Sequence, residues 1–428
     1  MTDVIREKFH SNPTYILVVM LFIIELTTYL YFGMTKIAYP VTTVVGTRRY
    51  YHTEYYNNLK YFAIFLGIQL LFLGIFIIVT KVGEVNCYSI YLISSMIMFA
   101  GFMVQSLYGP SSIRRYLFLL CVCSVMFLIA YIIFINKITQ TLAKMIQIGV
   151  VIMIILGLVS VLQGRVNGAS SWLFITNRFS INPGELTRLF LIILSVYCYK
   201  NSDRKLRRRF MFLASLSLVV CMLQGDIGST VMSAIILGIS YFFIEGNVKT
   251  IVFFSGIVAL GTFLISFIYK FIGSGYAIQR ITATGTHLLE TDGQQHSSLM
   301  AIVYGGIKGL GVKKAVLATH ITYSYTDFAF NIGIAVYGVI FVLIGFIPFL
   351  IIGIVSLKTR IIRTQNNLLL VISATTLFAE ATIHILCNLD LVPYTGLCLP
   401  LISASGSGTL SYYILLGLLV AGLTPKIN

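Results

Sequence analysis

Charge is scarce in this chain. Only 10% of its 428 residues are Asp, Glu, Lys or Arg, against about 25% in an ordinary soluble domain. Acid is the scarcer sign, with 14 Asp and Glu against 30 Lys and Arg, a formal charge of +16. Long polar stretches are missing as well, and 58% of the residues are hydrophobic. A soluble globule of this size could not cover that much apolar surface, and a disordered chain needs the opposite composition. The balance describes an integral membrane protein. The seven cysteines show no CxxC spacing and no nearby His at zinc-ligand spacing, so they read as small apolar residues without a redox or metal role. The basic residues sit in short loops between apolar runs, where the positive-inside bias and anionic headgroups account for them. Nucleic acid is not an expected partner.

A helical span takes about 20 apolar residues. Candidates run near 15–33, 61–80, 86–108, 115–136, 143–163, 184–199, 210–224, 229–245, 250–272, 327–356, 367–389 and 400–424, twelve in all. The expected fold is an all-α polytopic helical bundle in the membrane. No small-residue cleavage site follows the first run, which reads as an uncleaved span and not as a signal peptide. The segment 200–209 carries six basic residues and one acid, and Lys358, Arg360 and Arg363 crowd another short loop. Both loops are expected in the cytoplasm, and twelve spans then put both termini there. Lys36, Arg48, Arg49 and Lys60 run against this bias. The longest loop, about 273–326, falls outside, and long loops in compact proteins are more often functional than idle.

Four clusters carry polar chemistry. The first runs Asn167-Gly168-Ala169-Ser170-Ser171-Trp172 and leads to Asn182-Pro183-Gly184-Glu185-Leu186-Thr187-Arg188. Pro183 suits a first helical turn, and Glu185 and Arg188 then share a face at i, i+3. A charge pair at the membrane boundary is either a structural lock or a lining of an aqueous cavity. The second is Gln224-Gly225-Asp226-Ile227-Gly228-Ser229, where Asp226 can cap the next helix, face a cavity, or do both. The third is the long loop, with Arg280, Glu290, Asp292, Gln294, Ser298-Leu299, Gly305-Gly306, Gly309-Leu310-Gly311 and then Thr326-Asp327-Phe328, where Asp327 is a candidate N-cap. The fourth is Pro393-Tyr394-Thr395-Gly396-Leu397-Cys398-Leu399-Pro400, continuing through Ser403 to Gly406-Ser407-Gly408, a tight outer turn and a broken helix start. Glu25, Glu380 and His384 lie inside apolar runs, and Glu380 and His384, at i, i+4, are expected to satisfy each other.

Taken in order, these clusters resemble the SEDS family (shape, elongation, division and sporulation), which includes RodA, FtsW and SpoVE. The family pattern is similar to NGAxxW, QPSE-L-x-K, QPDLG(S/T), a loop ending QSL-x-A-x-x-GG-x-x-G-x-G, TDFxF, and P-x-TG-x-x-LPF. Their matches in register, from about residue 143 to the end, carry the resemblance. It implies a ten-helix core, here about 86–428, with two extra helices within 1–85. It also implies a bacterial cytoplasmic-membrane glycosyltransferase that polymerises lipid II into peptidoglycan strands beside a class B penicillin-binding protein.

The resemblance implies a carboxylate in the long outer loop, with Asp292 the nearest acid and Glu290 the fallback. A sugar hydroxyl is a poor nucleophile, so a carboxylate that takes its proton suits a general base. The leaving lipid pyrophosphate needs charge stabilisation, which Arg280, Arg188 or a divalent cation (Mg or Mn) can supply. Glu185, Gln224, Asp226, Trp172, Asp327 and Ser403 complete the expected substrate-binding set; no resident metal ligands are expected. The chain departs from the pattern at Ile334-Ala335-Val336-Tyr337-Gly338, where the family carries GEE-x-G, and at Ser171, Gly184, Arg188, His384, Ala404, Ser405 and Gly408. Two other readings stand beside the polymerase: a flippase for a lipid-linked sugar, and a weakly active scaffold that recruits a penicillin-binding protein.

Overall fold

The structure is a computed structural model, and it describes residues 13–33, 37–45, 48–83, 88–135, 140–163, 170–176, 179–200, 203–245, 283–287, 293–319, 321, 324–358 and 365–423. Among the described residues, seven helices are long and apolar enough to cross a membrane, and shorter apolar helices cover Val18–Leu30 and Val339–Ile354. The chain is a polytopic helical membrane protein. Eleven of the twelve expected spans fall on helices; the twelfth, 250–272, lies outside the described residues.

The chain divides into two compact units, the first made of Met1–Ser124, Thr291–Ile351 and Leu401–Ala404. It opens with helix α1 (Pro13–Gly33), a hairpin of β1 (Ile37–Val45) and β2 (Arg48–Tyr56), helix α2 (Leu59–Gly83) and helix α3 (Tyr88–Ser106). The hairpin is antiparallel, with Ile37 opposite Tyr56 and Val45 opposite Arg48. Span length alone makes 34–60 a loop, but β-branched and aromatic residues dominate it, which suits strands. Tyr39 Oη donates to Glu54 Oε2 at 2.5 Å, and that bond pushes the phenol above its ordinary pKa. Helices α1 and α2 pack on α3. Tyr29 stacks on Phe62 at 3.8 Å, and Phe65 stacks on Phe102 at 4.7 Å. Inside this apolar contact Gln69 Nε2 donates to Glu25 Oε1 at 3.0 Å and to the Ser95 carbonyl at 3.4 Å.

The expected span 327–356 is three helices, α11 (Ala329–Tyr337), α12 (Val339–Gly345) and α13 (Ile347–Lys358). They follow α9 (Gln294–Gly305), a 3-10 turn (Val312–Lys314) and α10 (Val316–Thr319). The break lies at Gly338, whose φ of +65° is left-handed. There the glycine-rich loop lies against the broken helix. Leu310 and Gly311 donate to the Ala335 and Val336 carbonyls, both at 2.9 Å, and Val339 N–H reaches the Ile307 carbonyl at 3.0 Å. A Cβ at Gly338 would stand 2.7 Å from Lys308 C. The kink thus satisfies the loop's backbone, which a straight helix would leave unpaired in lipid.

The second unit is made of Val125–Glu290, Ile352–Pro400 and Ser405–Asn428. After α4 (Gly109–Ile135) come α5 (Gln140–Gln163), a short hairpin of β3 (Leu173–Thr176) and β4 (Phe179–Ile181), α6 (Pro183–Lys200), α7 (Arg204–Leu223), α8 (Ile227–Glu245), α14 (Gln365–Asn388) and α15 (Gly406–Leu423). Helix α6 is the hub, packing on α5, α7, α8, α14 and α15. The expected final span 400–424 becomes helical only from Gly406, because Leu399–Ser405 runs as buried non-helical chain.

Replacing Gln69 by Leu removes the donor of Glu25 while keeping the helix apolar. The expected outcome is a loss of about 1–3 kcal/mol, read as a lower unfolding temperature of the detergent-solubilised protein.

Candidate active site

Helix α6 starts where the sequence places it. Asn182 Oδ1 accepts from Gly184 N–H at 2.9 Å, and Pro183 fills the first turn, where no backbone donor is lost. Glu185 and Arg188 then face inward, 7% and 5% exposed. Arg188 Nη1 is ion-paired to Glu380 Oε1 on α14, and both side chains are buried. Glu185 also lies in the field of Arg188. The i, i+4 pairing expected for Glu380 and His384 is therefore overturned. Glu380 reaches across to α6, and His384 Nδ1 bonds the Leu397 carbonyl at 2.6 Å. The guanidinium offers a full opposite charge, which the imidazole cannot match.

The Gln224-Gly225-Asp226 turn ends one helix and starts the next. Gly225, at φ +70°, donates to Met222, and Asp226 N–H reaches back to Cys221, which together close the end of α7. Asp226 then caps α8, with Oδ1 accepting from Ser229 N–H at 2.8 Å and Oδ2 from Ser229 Oγ at 2.9 Å. Gln224 Nε2 donates to the Gly157 carbonyl at 3.0 Å and to Ser160 Oγ at 2.9 Å. Its own carbonyl accepts from Ser170 N–H at 2.8 Å. Both residues thus have structural work: Gln224 ties α5, α7 and the strand leading from Ser170 together, and Asp226 holds a helix start. Gly228 is needed for close approach, since a Cβ there would stand 2.6 Å from Leu397 Cγ. Trp172 is half-buried just before β3.

At the other end of α14 the chain closes with the same motif. Asp390 N–H donates to Cys387, and Leu391 N–H to Leu386, with Asp390 at φ +61° where glycine is usual. This conformation brings the carboxylate to the segment 283–287. Asp390 Oδ1 meets His287 Nδ1 at 2.6 Å, and Oδ2 accepts from His287 N–H at 3.1 Å. The sequence singled out neither residue. Both are polar residues in loops, and only the fold pairs them.

In the first unit, Ser403 Oγ donates to the Thr326 carbonyl at 2.6 Å, and Gln105 Nε2 donates to the Tyr325 and Ile402 carbonyls at 2.9 and 3.2 Å. Tyr116 Oη caps the Leu401 carbonyl at 2.7 Å. These bonds satisfy a buried non-helical stretch that would otherwise leave its carbonyls unpaired. Asp327 is not the helix cap: α11 begins at Ala329, with Phe328 in the cap position and no side-chain cap bond. Asn331 Nδ2 donates to Ser298 Oγ at 3.1 Å, joining α11 to α9. Arg280, Glu290 and Asp292 lie outside the described residues. No group of three or more His, Cys, Asp or Glu side chains that could hold a metal ion occurs among the described residues.

Two outcomes follow. Arg188→Ala strands Glu380 in the membrane and should cost about 3–5 kcal/mol, whereas the double substitution Arg188→Met with Glu380→Leu should recover most of it; thermal unfolding of the wild type and both variants checks this. Asp390→Ala releases His287, and amide exchange of the peptide covering 283–287 should rise by about tenfold, the equivalent of one charge-assisted hydrogen bond.

A family profile described as cell cycle protein, FtsW/RodA/SpoVE, matches residues 69–424. Relatives named probable peptidoglycan glycosyltransferase FtsW include those of Caulobacter vibrioides, 25% identical over 60% of this chain and 66% of that protein, and Enterococcus hirae, 26% identical over 82% and 91%. The Mycobacterium tuberculosis protein of that name is 27% identical over 63% of this chain and 52% of its own length. Among solved structures, a chain of a peptidoglycan synthase complex superposes with a TM-score of 0.58 at 18% identity, covering 80% of this chain and 98% of that one. Thermus thermophilus RodA gives 0.53 at 17% identity, covering 80% and 97%. The profile covers most of the chain and the neighbours share its fold, so this chain belongs to the FtsW/RodA/SpoVE family.

Proposed function

We propose that this chain is a peptidoglycan glycosyltransferase that polymerises lipid II in a bacterial cytoplasmic membrane. The observation that carries the reading is the family match over residues 69–424. The names of the relatives supply the activity, and the family motifs that build α6, the α7–α8 turn and the α9–α11 contact lie within that match. Asp292 is the general base in this reading, taking the proton of the acceptor hydroxyl, with Glu290 as fallback. Arg188 meets any ligand with its charge already opposed by Glu380. The developing pyrophosphate charge therefore falls to Arg280, aided by a divalent cation, Mg or Mn.

Glu185, Trp172, Asp327 and Ser403 complete the substrate-binding set, and Gln224 and Asp226 serve it by holding the helix ends. Both termini lie in the cytoplasm. A class B penicillin-binding protein works beside the chain and crosslinks the product. In this reading residues 1–85 add two helices to a core of 86–428.

The test is polymerisation of purified lipid II, read as a glycan ladder on a gel, with and without a class B penicillin-binding protein. Asp292→Asn should reduce the ladder by about 100-fold or more, the range of a lost general base. Full polymerisation by that variant would move the base to Glu290. Transport of lipid II without a ladder would overturn the reading.

A further inference from the structure

Three helices of the second unit, α6, α14 and α15, enclose a small cavity lined by Glu185, Arg188, Thr376, Glu380, Gly408 and Ser411. It has about the room of one water-sized occupant. Its charges do not balance. Arg188 is spent on Glu380. Glu185 remains, 7% exposed; the Ser407 hydroxyl lies beside its carboxylate, but Oε2 stays without a partner. Asp226 adds negative potential nearby. Ser411 Oγ, in a residue 4% exposed, has no partner, and neither has Ser405 Oγ, in a residue 6% exposed. Gly408 keeps the space between them open. A Cβ there would stand 3.0 Å from Ser405 Oγ and 3.4 Å from Glu185 Oε1. A buried carboxylate oxygen and the buried Ser411 hydroxyl thus border one space without partners, and Ser405 Oγ lies beside Gly408 at its edge.

We propose that this cavity is a binding site for a small dehydrated monovalent cation of the Na+ to K+ class. The unsatisfied atoms are all oxygens, the ligands that hard cations take. Of the side chains lining the cavity, one guanidinium stands against two carboxylates, which leaves net negative charge for a cation to cancel. The cavity has room for a bare ion, whereas Mg keeps several waters that it could not hold. An uncompensated carboxylate among membrane helices is costly, and one bound cation removes that cost while giving Ser411 an ion to coordinate. The site concerns ion binding by the protein itself and does not rest on the polymerase reading.

The test uses the purified full-length protein in detergent, without lipid II. Its unfolding temperature is measured in NaCl, KCl and choline chloride at equal ionic strength, and Na+ binding is followed by sodium NMR. The expected result is an unfolding temperature that rises with Na+ or K+ concentration but not with choline, as linkage to the folded state requires. Glu185→Gln, which keeps size and removes charge, should abolish that dependence. Ser411→Ala should keep the dependence but weaken it by about tenfold, the loss of one oxygen ligand. Equal unfolding temperatures in all three salts for the wild type would overturn the proposal, as would an unchanged ion dependence in Glu185→Gln. Carbodiimide labelling of Glu185 that Na+ and K+ do not suppress would also overturn it, and would assign a proton to the carboxyl instead.

Discussion

In a bilayer each polar group must find its partner within the chain, and the architecture of this protein is organised around that demand. The Arg188–Glu380 ion pair is its sharpest expression, because a lone charge among these helices would be costlier than any single apolar contact could offset. It fixes α6 against α14, and α6 is the helix on which the second unit is assembled. The same demand explains why irregular backbone appears only under cover. Leu401 and Ile402 leave helical geometry where Tyr116 and Gln105 take their carbonyls. The glycine-rich loop at 305–311 is irregular where the break at Gly338 receives its N–H groups.

Much of this was legible in the sequence. Apolar run length located the spans because lipid thickness sets that length, and Pro183 and Asp226 announced helix starts through backbone chemistry that depends on few neighbours. The misreadings share a cause, which is reliance on nearest neighbours along the chain. Glu380 and His384 are close on one helix, but a full charge on α6 outcompeted the imidazole. Asp327 has the chemistry of a cap, yet the helix starts two residues later. Run length cannot reveal a break such as Gly338, since both halves are apolar and the loop that requires the kink is distant in sequence.

The candidate site was legible as a family order and much less so as geometry. Gln224 and Asp226 look like ligand contacts in a motif, and the structure gives each structural hydrogen bonds. Glu185 is the reverse case, a residue whose spacing suggested a simple ion pair with Arg188 and whose second oxygen is left without a partner. Within such motifs, some residues build the frame and others are left unsatisfied by it. The unsatisfied ones are where a ligand has something to gain. The Asp390–His287 contact shows a different limit, because a left-handed aspartate at a helix end is invisible to spacing and becomes meaningful only when the segment 283–287 meets it.

The Arg188–Glu380 pair also constrains how the protein is made. Its members are 192 positions apart, so α6 enters the bilayer long before α14 has been synthesised. During that interval Arg188 needs another counter-charge, and Glu185, three residues earlier on the same face, is within reach. Glu380 becomes available only with α14, so the bundle around α6 cannot close its charge balance until that late helix is in place.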